Sequence, residues 1–340
     1  MKKVFIFFML VGVSFVFFEL FLRFSPFTLG VSPVEYDQDI GMWHKKNFSN
    51  YIVKECYKTK FSFDQYGRMQ NNYPYSNEKK DIILIGDSQI EALMVDNASI
   101  MHNSLYRHLG HQFNVLNYAL SGTGPSQHLR IMQTKVDLHN IHHLIHFVFL
   151  ENDLNDGDPA SFDGTNRPKV YMQFEDLSKS HIIPPRPYDT KEKVRDFIAQ
   201  FELYIYLKKT FYYYQSLWRN TPSIIIDAQD EAPQFQNLDY KWKQLQGSIY
   251  QMNQLAVQHK FRYTVIFIST LDEQGNINLR QQLEDFLHQE NIQGINLLPF
   301  IEQLQVADGA KIDFECDGHW NGQTHTKIAR YLYQTLFDGK

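Results

Sequence analysis

The chain opens on an apolar run, VFIFFMLVGVSFVFFELFL from Val4 to Leu22, broken only by Gly12, Ser14 and Glu19. As a helix rising 1.5 Å per residue, a run of about 20 residues crosses a bilayer core roughly 30 Å thick. Lys2 and Lys3 precede it, and the positive-inside bias keeps that end cytoplasmic against the weaker pull of Arg23, Lys45 and Lys46. Residues 1–24 are therefore expected to be a single-pass signal anchor, with the N-terminus cytoplasmic and the remainder periplasmic or otherwise extracytoplasmic. A cleaved signal peptide is the alternative, but its apolar region is shorter and a small-x-small site is missing after Leu22. Glu19 is costly in lipid; it lies near the outer end, within reach of water or headgroups.

Residues 25–80 are aromatic and polar, with Pro26, Pro33, Asn71-Asn72 and Pro74 as breakers, and read as a lead-in that packs on the main domain. From Asp81 the pattern alternates between strand and helix. DIILIG, FNVLNYA, HLIHFVFL, RYTVIFIST and GINLLP read as strands; Ala98 to Leu109, Gln127 to Leu138, Leu279 to Gln289 and Gln323 to Phe337 read as helices. Between the third and fourth strands, 154–260 reads as an insertion. It has a loop-like start, helices near Lys191 to Trp218 and Leu238 to His259, and a short apolar SIII run between them. Strands joined by crossover helices predict an α/β domain over 81–340, with a parallel sheet covered on both faces and ligands bound beyond the strands' carboxyl ends.

Charge and cysteine content narrow the function. Thirty-three basic against 38 acidic side chains in 340 residues give a net charge of -5, without the basic footprint that nucleic acid phosphates require. The two cysteines, Cys56 and Cys316, exclude a disulfide-dense scaffold and a four-cysteine zinc site; one bridge or two free thiols remain. His139, His142, His143 and His146 form a histidine-rich stretch, but strand alternation splits their faces and no carboxylate cluster completes a metal site. The aromatic stretch Phe211 to Tyr214 reads as packing for the inserted helices, with a sugar- or lipid-facing role as the alternative.

Four blocks fall after strands. Gly86-Asp87-Ser88 follows the first, and the glycine-rich NYALSGTGP, centred on Gly122, follows the second. Glu151-Asn152-Asp153 ends the third, and Asp317-Gly318-His319-Trp320-Asn321 follows the fifth. Singly, each has an ordinary reading as a helix cap, a turn glycine, an Asx turn or a structural histidine. Jointly, they lie in chain order where one rim of a parallel sheet would collect them.

In these blocks the sequence resembles the SGNH hydrolase superfamily, also called GDSL esterases and lipases, from Asp81 to about Leu336. The likeness is carried by DIILIGDSQIEALMV, NYALSGTGPSQ, FVFLENDLND and DGHWNGQTH, and more weakly by DIGMWHKKN and FDQYGRM, which are similar to the lead-in of membrane-anchored or secreted bacterial members. The resemblance implies a flavodoxin-like three-layer fold, no cofactor and acyl-ester chemistry. By resemblance Ser88 is the nucleophile and His319 its base, with Asp317 fixing the imidazole. By the same resemblance the Ser88 and Gly122 backbone N–H groups and the Asn152 amide are expected to form the oxyanion hole. The Asp-x-His spacing is similar to that of alginate O-acetyltransferases; many members instead carry the aspartate three residues before the histidine, where this chain has Cys316. Glu315 is the alternative carboxylate. Thr324-His325 also replaces a Gly-His pair common in relatives.

The expected function is a membrane-tethered esterase acting on O-acyl or O-acetyl esters of a glycan or lipid. The alternatives are an O-acyltransferase that uses the same triad to modify a cell-surface glycan, and a catalytically silent binding module on the same scaffold.

Overall fold

The computed structural model describes residues 2–25, 30–159, 167–218, 237–269, 279–309 and 311–338. The centre is a five-stranded, wholly parallel sheet. Its strands are β5 (Asp81–Ile85), β6 (Asn114–Asn117), β7 (Ile141–Phe149), β10 (Arg262–Ile268) and β11 (Gln293–Asn296), in the order β6-β5-β7-β10-β11. Numbered along the chain this is the 2-1-3-4-5 order of doubly wound sheets, in which the direction of winding reverses between the first and third strands.

Every side chain of β5 is buried, which its unbroken apolar pattern requires of a strand covered on both faces. Alternation sorts those side chains. Ile83, Ile85, Leu144, Val148, Val265 and Phe267 join one core with α4 (Pro125–Lys135), α8 (Leu238–His259) and α9 (Leu279–Gln289). Ile82, Leu84, Ile145, Phe147, Ile266 and Ile268 join the other with α3 (Met101–His108), α10 (Leu298–Asp308) and α11 (Gly322–Leu336). Each such side chain contributes about 1.5–3 kcal/mol by leaving water.

The lead-in forms two antiparallel hairpins, β1 (Val34–Asp37) with β2 (Gly41–His44) and β3 (Ser49–Lys54) with β4 (Tyr57–Ser62). Tyr57 and Phe61 of β4 pack with Phe63 and Met69 against Leu93, Met94 and Val95 of the main domain, a third small core.

Several boundaries differ from the sequence pattern. The apolar run Leu297-Leu298-Pro299 opens α10 instead of extending a strand, because proline fits the first turn of a helix, where its missing N–H would be unpaired anyway. The span from Lys191 to Trp218 is two helices, α6 (Thr190–Ile198) and α7 (Glu202–Trp218). Leu150, read as the end of the third strand, instead opens α5 (Leu150–Asp156), which runs into the loop-like stretch; that stretch also contains the hairpin β8 (Tyr171–Phe174) with β9 (Ser180–Ile183). The SIII run lies outside the described residues. The N-terminal apolar pattern is the helix α1 (Lys2–Phe24), long and apolar enough to be a membrane span or a signal sequence.

Candidate active site

Ser88 is positioned by the turn out of β5. Asp87 caps the four-residue helix α2 (Ser88–Glu91), its carboxylate accepting from the Gln89 N–H at 3.0 Å. Gly86 is there because a Cβ would stand 2.8 Å from Ile90 Cγ1 and 3.1 Å from Phe147 Cβ, so only a bare backbone lets α2 close on the sheet. His319 comes from a different element, the hairpin of β12 (Asp313–Phe314) and β13 (Asp317–Trp320), which precedes α11. The fold brings the two together: Ser88 Oγ lies 2.9 Å from His319 Nε2.

The other imidazole nitrogen decides the proton's place. His319 Nδ1 faces the Asp317 carboxylate, which can only accept, so Nδ1 carries the hydrogen and Nε2 accepts from the serine hydroxyl. Asp317 is itself braced, its Oδ2 accepting from the Tyr57 hydroxyl at 2.7 Å and pairing with Lys54 Nζ at 3.0 Å. Burial opposes its charge, but the hydrogen bonds from His319 and Tyr57, with the neighbouring positive charge, outweigh that and hold its pKa down at about 2. Glu315 is turned to the surface, paired with Lys311. Of the two candidate carboxylates, Asp317 is the one that meets the imidazole.

Gly122 and Asn152 reach the same rim from β6 and β7. Gly122 has φ +70, a backbone state that side chains disfavour, with Lys169 Nζ 4.0 Å from where a Cβ would stand. Asn152 lies in the first turn of α5, not at a strand end. Its Nδ2 donates to Asp87 Oδ2 at 2.6 Å, and since an amide nitrogen carries two hydrogens, one remains for another acceptor. The adjacent Asp153 turns back to accept from the Phe149 N–H at 2.9 Å. Asp87 is fully buried, and burial raises its pKa to about 6 against the opposing hydrogen bonds from Asn152 and Gln89.

Four supporting residues were given no role by the sequence. Gln89 grips the backbone on both sides of His319, donating to the Gly318 carbonyl at 3.1 Å and accepting from the Trp320 N–H at 3.0 Å. Tyr57 and Lys54 come from the lead-in. So does His44, whose Nε2 lies 2.5 Å from buried Glu91; the other oxygen of Glu91 accepts from the N–H (3.2 Å) and hydroxyl of Ser121, next to Gly122. A disulfide joins Cys56 to Cys316. Because Tyr57 follows Cys56 and Asp317 follows Cys316, that bridge is the sequence signal that would have put Tyr57 beside the carboxylate.

The histidine-rich stretch has other partners. His143 bonds Thr264 Oγ1 at 2.8 Å, and His146 bonds the Tyr263 hydroxyl at 2.9 Å and His128 at 3.0 Å. His142 stacks on Phe113 and His139 meets His259 edge-on. Among the described residues no group of three histidine, cysteine or acidic side chains is arranged to hold a metal ion.

Neither a family model nor a curated protein matches the chain. Solved structures similar to it include one of TesA, at 13% identity and TM-score 0.41, covering 76% of this chain and 98% of that one. An acetyl xylan esterase, AlAXEase, is 9% identical with TM-score 0.41, covering 76% of this chain and 100% of its own. LAE5, an alpha/beta hydrolase enzyme from the metagenome of Lake Arreo, Spain, is 12% identical with TM-score 0.41, covering 77% and 97%.

Proposed function

We propose that this chain is a serine esterase of the SGNH type, tethered to a membrane by α1 with its active site outside the cytoplasm, and that it hydrolyses O-acyl or O-acetyl esters through an acyl-enzyme on Ser88. The observation that carries this reading is the unbroken line from Ser88 Oγ through both nitrogens of His319 to the ionised, buried Asp317.

The chemistry follows from that line. As Ser88 Oγ attacks the ester carbonyl carbon, its proton passes to His319 Nε2, and Asp317 stabilises the imidazolium. The carbonyl oxygen, now an oxyanion, takes hydrogen bonds from the Ser88 and Gly122 backbone N–H groups and the second hydrogen of the Asn152 amide. The imidazolium then gives its proton to the departing alkoxide as the C–O bond breaks, leaving acyl-Ser88 and a free alcohol. Water, deprotonated by His319, attacks the acyl carbon; the bond from that carbon to Ser88 Oγ then breaks as the imidazolium returns its proton to Oγ, and the carboxylic acid leaves. Gln89 and the Cys56–Cys316 bridge keep His319 and Asp317 in place throughout, and no cofactor enters the scheme.

A fluorophosphonate probe tests the nucleophile: wild type is expected to label and Ser88→Ala to remain unlabelled. Equal labelling of the two proteins sinks the assignment. An O-acyltransferase would use the same steps up to acyl-Ser88, with a sugar hydroxyl replacing water. Supplying a polysaccharide acceptor to an acetyl-to-long-chain ester series separates the two, because a hydrolase releases free acid whether or not the acceptor is present.

A further inference from the structure

We infer that α6 and α7 are seated on the outer surface of the same bilayer that α1 enters, so that the domain rests on the membrane instead of hanging from a single helix. This rests on reading α1 as a membrane span.

The argument begins at Glu19, the one acidic residue in the apolar run. Its neighbours Phe18 and Leu20 are 51% and 49% exposed, whereas Glu19 is 8% exposed. Its carboxylate accepts from the backbone N–H groups of Glu202 at 3.1 Å and Leu203 at 3.0 Å, two donors that the first turn of α7 would otherwise leave unpaired. Arg23, paired with Glu19 at 2.6 Å, donates to the Gln200 carbonyl at 2.9 Å. Phe201 meets Phe15 of α1 at 5.5 Å and Phe197 of α6 at 5.6 Å. The start of α7 is thus fixed at the depth of Glu19, about one helical turn inside Arg23. A segment held there lies in the headgroup layer.

The exposed faces of both helices suit that layer. Val194, Phe197 and Ile198, at helical spacing on α6, are 52%, 61% and 37% exposed; Leu207 and Phe211 on α7 are 58% and 64% exposed. Left in water, such faces would be anomalous for a folded domain. Lys191, Lys193 and Arg195 intersperse the α6 face, and Lys208 and Lys209 the α7 face, where long stems let ammonium and guanidinium groups reach phosphates while the apolar atoms sink. Of the nearby acids, Glu192 is paired with Arg186 at 2.6 Å and Asp196 with Arg195 at 3.4 Å. α7 packs directly on α1, the helix read as the membrane span, which favours lipid as the occupant of its exposed face over a second copy of the chain.

The test uses the full chain reconstituted in phosphatidylcholine and phosphatidylglycerol vesicles carrying a nitroxide on the upper acyl chain. A bimane label is placed singly on Phe197→Cys, Phe211→Cys, Phe8→Cys in α1, and Val257→Cys on the exposed side of α8. Labels at 197 and 211 are expected to be quenched several-fold more than the label at 257, consistent with insertion of about 5–10 Å. Quenching at 8 with none at 197 and 211 overturns the seat and leaves the anchor; no quenching at 8 removes the anchor reading and the seat with it. Labels at 197 and 211 that quench one another in a concentration-dependent way while lipid leaves them untouched would assign the face to a second copy. In Glu19→Ala, quenching at 211 is expected to fall while quenching at 8 persists; unchanged quenching at 211 overturns Glu19 as the fastening.

Discussion

All five side chains of β5 are buried, whereas β3 of the lead-in buries none completely, yet each delivers a group to the same rim. β5 leads into Ser88 and β3 ends at Lys54, which pairs with Asp317. The sheet positions its residues by close packing on two faces, where a displacement of even a methylene is costly. The lead-in positions Tyr57 and Lys54 by a small third core, a few polar bonds and one covalent bridge. Groups held in the second way are easier to dislodge without unfolding the protein, and experiments can separate the two kinds of support.

The largest expected effect comes from removing the bridge. Replacing both Cys56 and Cys316 by Ser reopens a separation of 260 residues, and chain entropy puts the loss at about 5.6 kcal/mol, read by denaturant unfolding of the full chain in micelles. The comparison adds that kcat should fall with KM little changed, since Tyr57 and Asp317 drift apart while the sheet stays intact. An unchanged kcat would mean that the sheet alone positions the site. On the sheet side, Asn152→Ala is expected to lower kcat by about 10²–10³ through the loss of one oxyanion donor, and to cost about 1–3 kcal/mol of stability because buried Asp87 loses the amide's hydrogen bond. A kcat within twofold of wild type would remove Asn152 from the oxyanion hole.

Acid should loosen the packed layers themselves. Burial lowers the pKa values of His102, His128 and His325 to about 3 and that of His146 well below the usual value. Below pH 6.5 the unfolded chain therefore binds protons that the folded protein refuses, so this stability is intact above that pH and declines as pH falls toward 3. Each such histidine contributes a slope of up to about 1.4 kcal/mol per pH unit. Asp87, raised to about 6, acts in the opposite sense between its ordinary value and pH 6, and Asp81, Asp196 and Asp313, which burial also raises, act in the same direction as Asp87. Unfolding free energy measured from pH 7 to pH 5 should drop; a flat profile would contradict the burial of these imidazoles as neutral groups. The smallest effect is expected at Tyr57→Phe, which leaves Lys54 on Asp317. A fall in kcat of about three- to tenfold is anticipated from one lost hydrogen bond to a charged acceptor, with the pH–rate profile unmoved above pH 5, because Asp317 starts from about 2. A loss as large as that of Asn152→Ala would show that Tyr57 does more than brace the carboxylate.

The central strands could be read along the chain because a strand buried on both faces must be apolar at nearly every position, as DIILI is. The lead-in strands could not. Half-buried hairpins such as SNYIVK and YKTKFS mix polar and apolar residues without a distinct period, and their register is set by pairing with each other. The break between α6 and α7 was equally hidden: the span keeps helical spacing on both sides, and only the docking of Phe201 on Phe15 and of Glu19 on the start of α7 interrupts it.

By itself, then, the order of residues determined an apolar N-terminal helix, a parallel sheet with crossover helices, and four polar blocks that come after its strands along the chain, because burial and backbone periodicity act over a few neighbouring positions. Only the tertiary structure decided which carboxylate meets His319, that Gln89 clamps the backbone around it, and that Tyr57, Lys54 and His44 reach the rim from the lead-in. These are contacts between segments tens to hundreds of residues apart, formed by directional bonds of single side chains, and such bonds leave no repeating pattern in the chain that makes them.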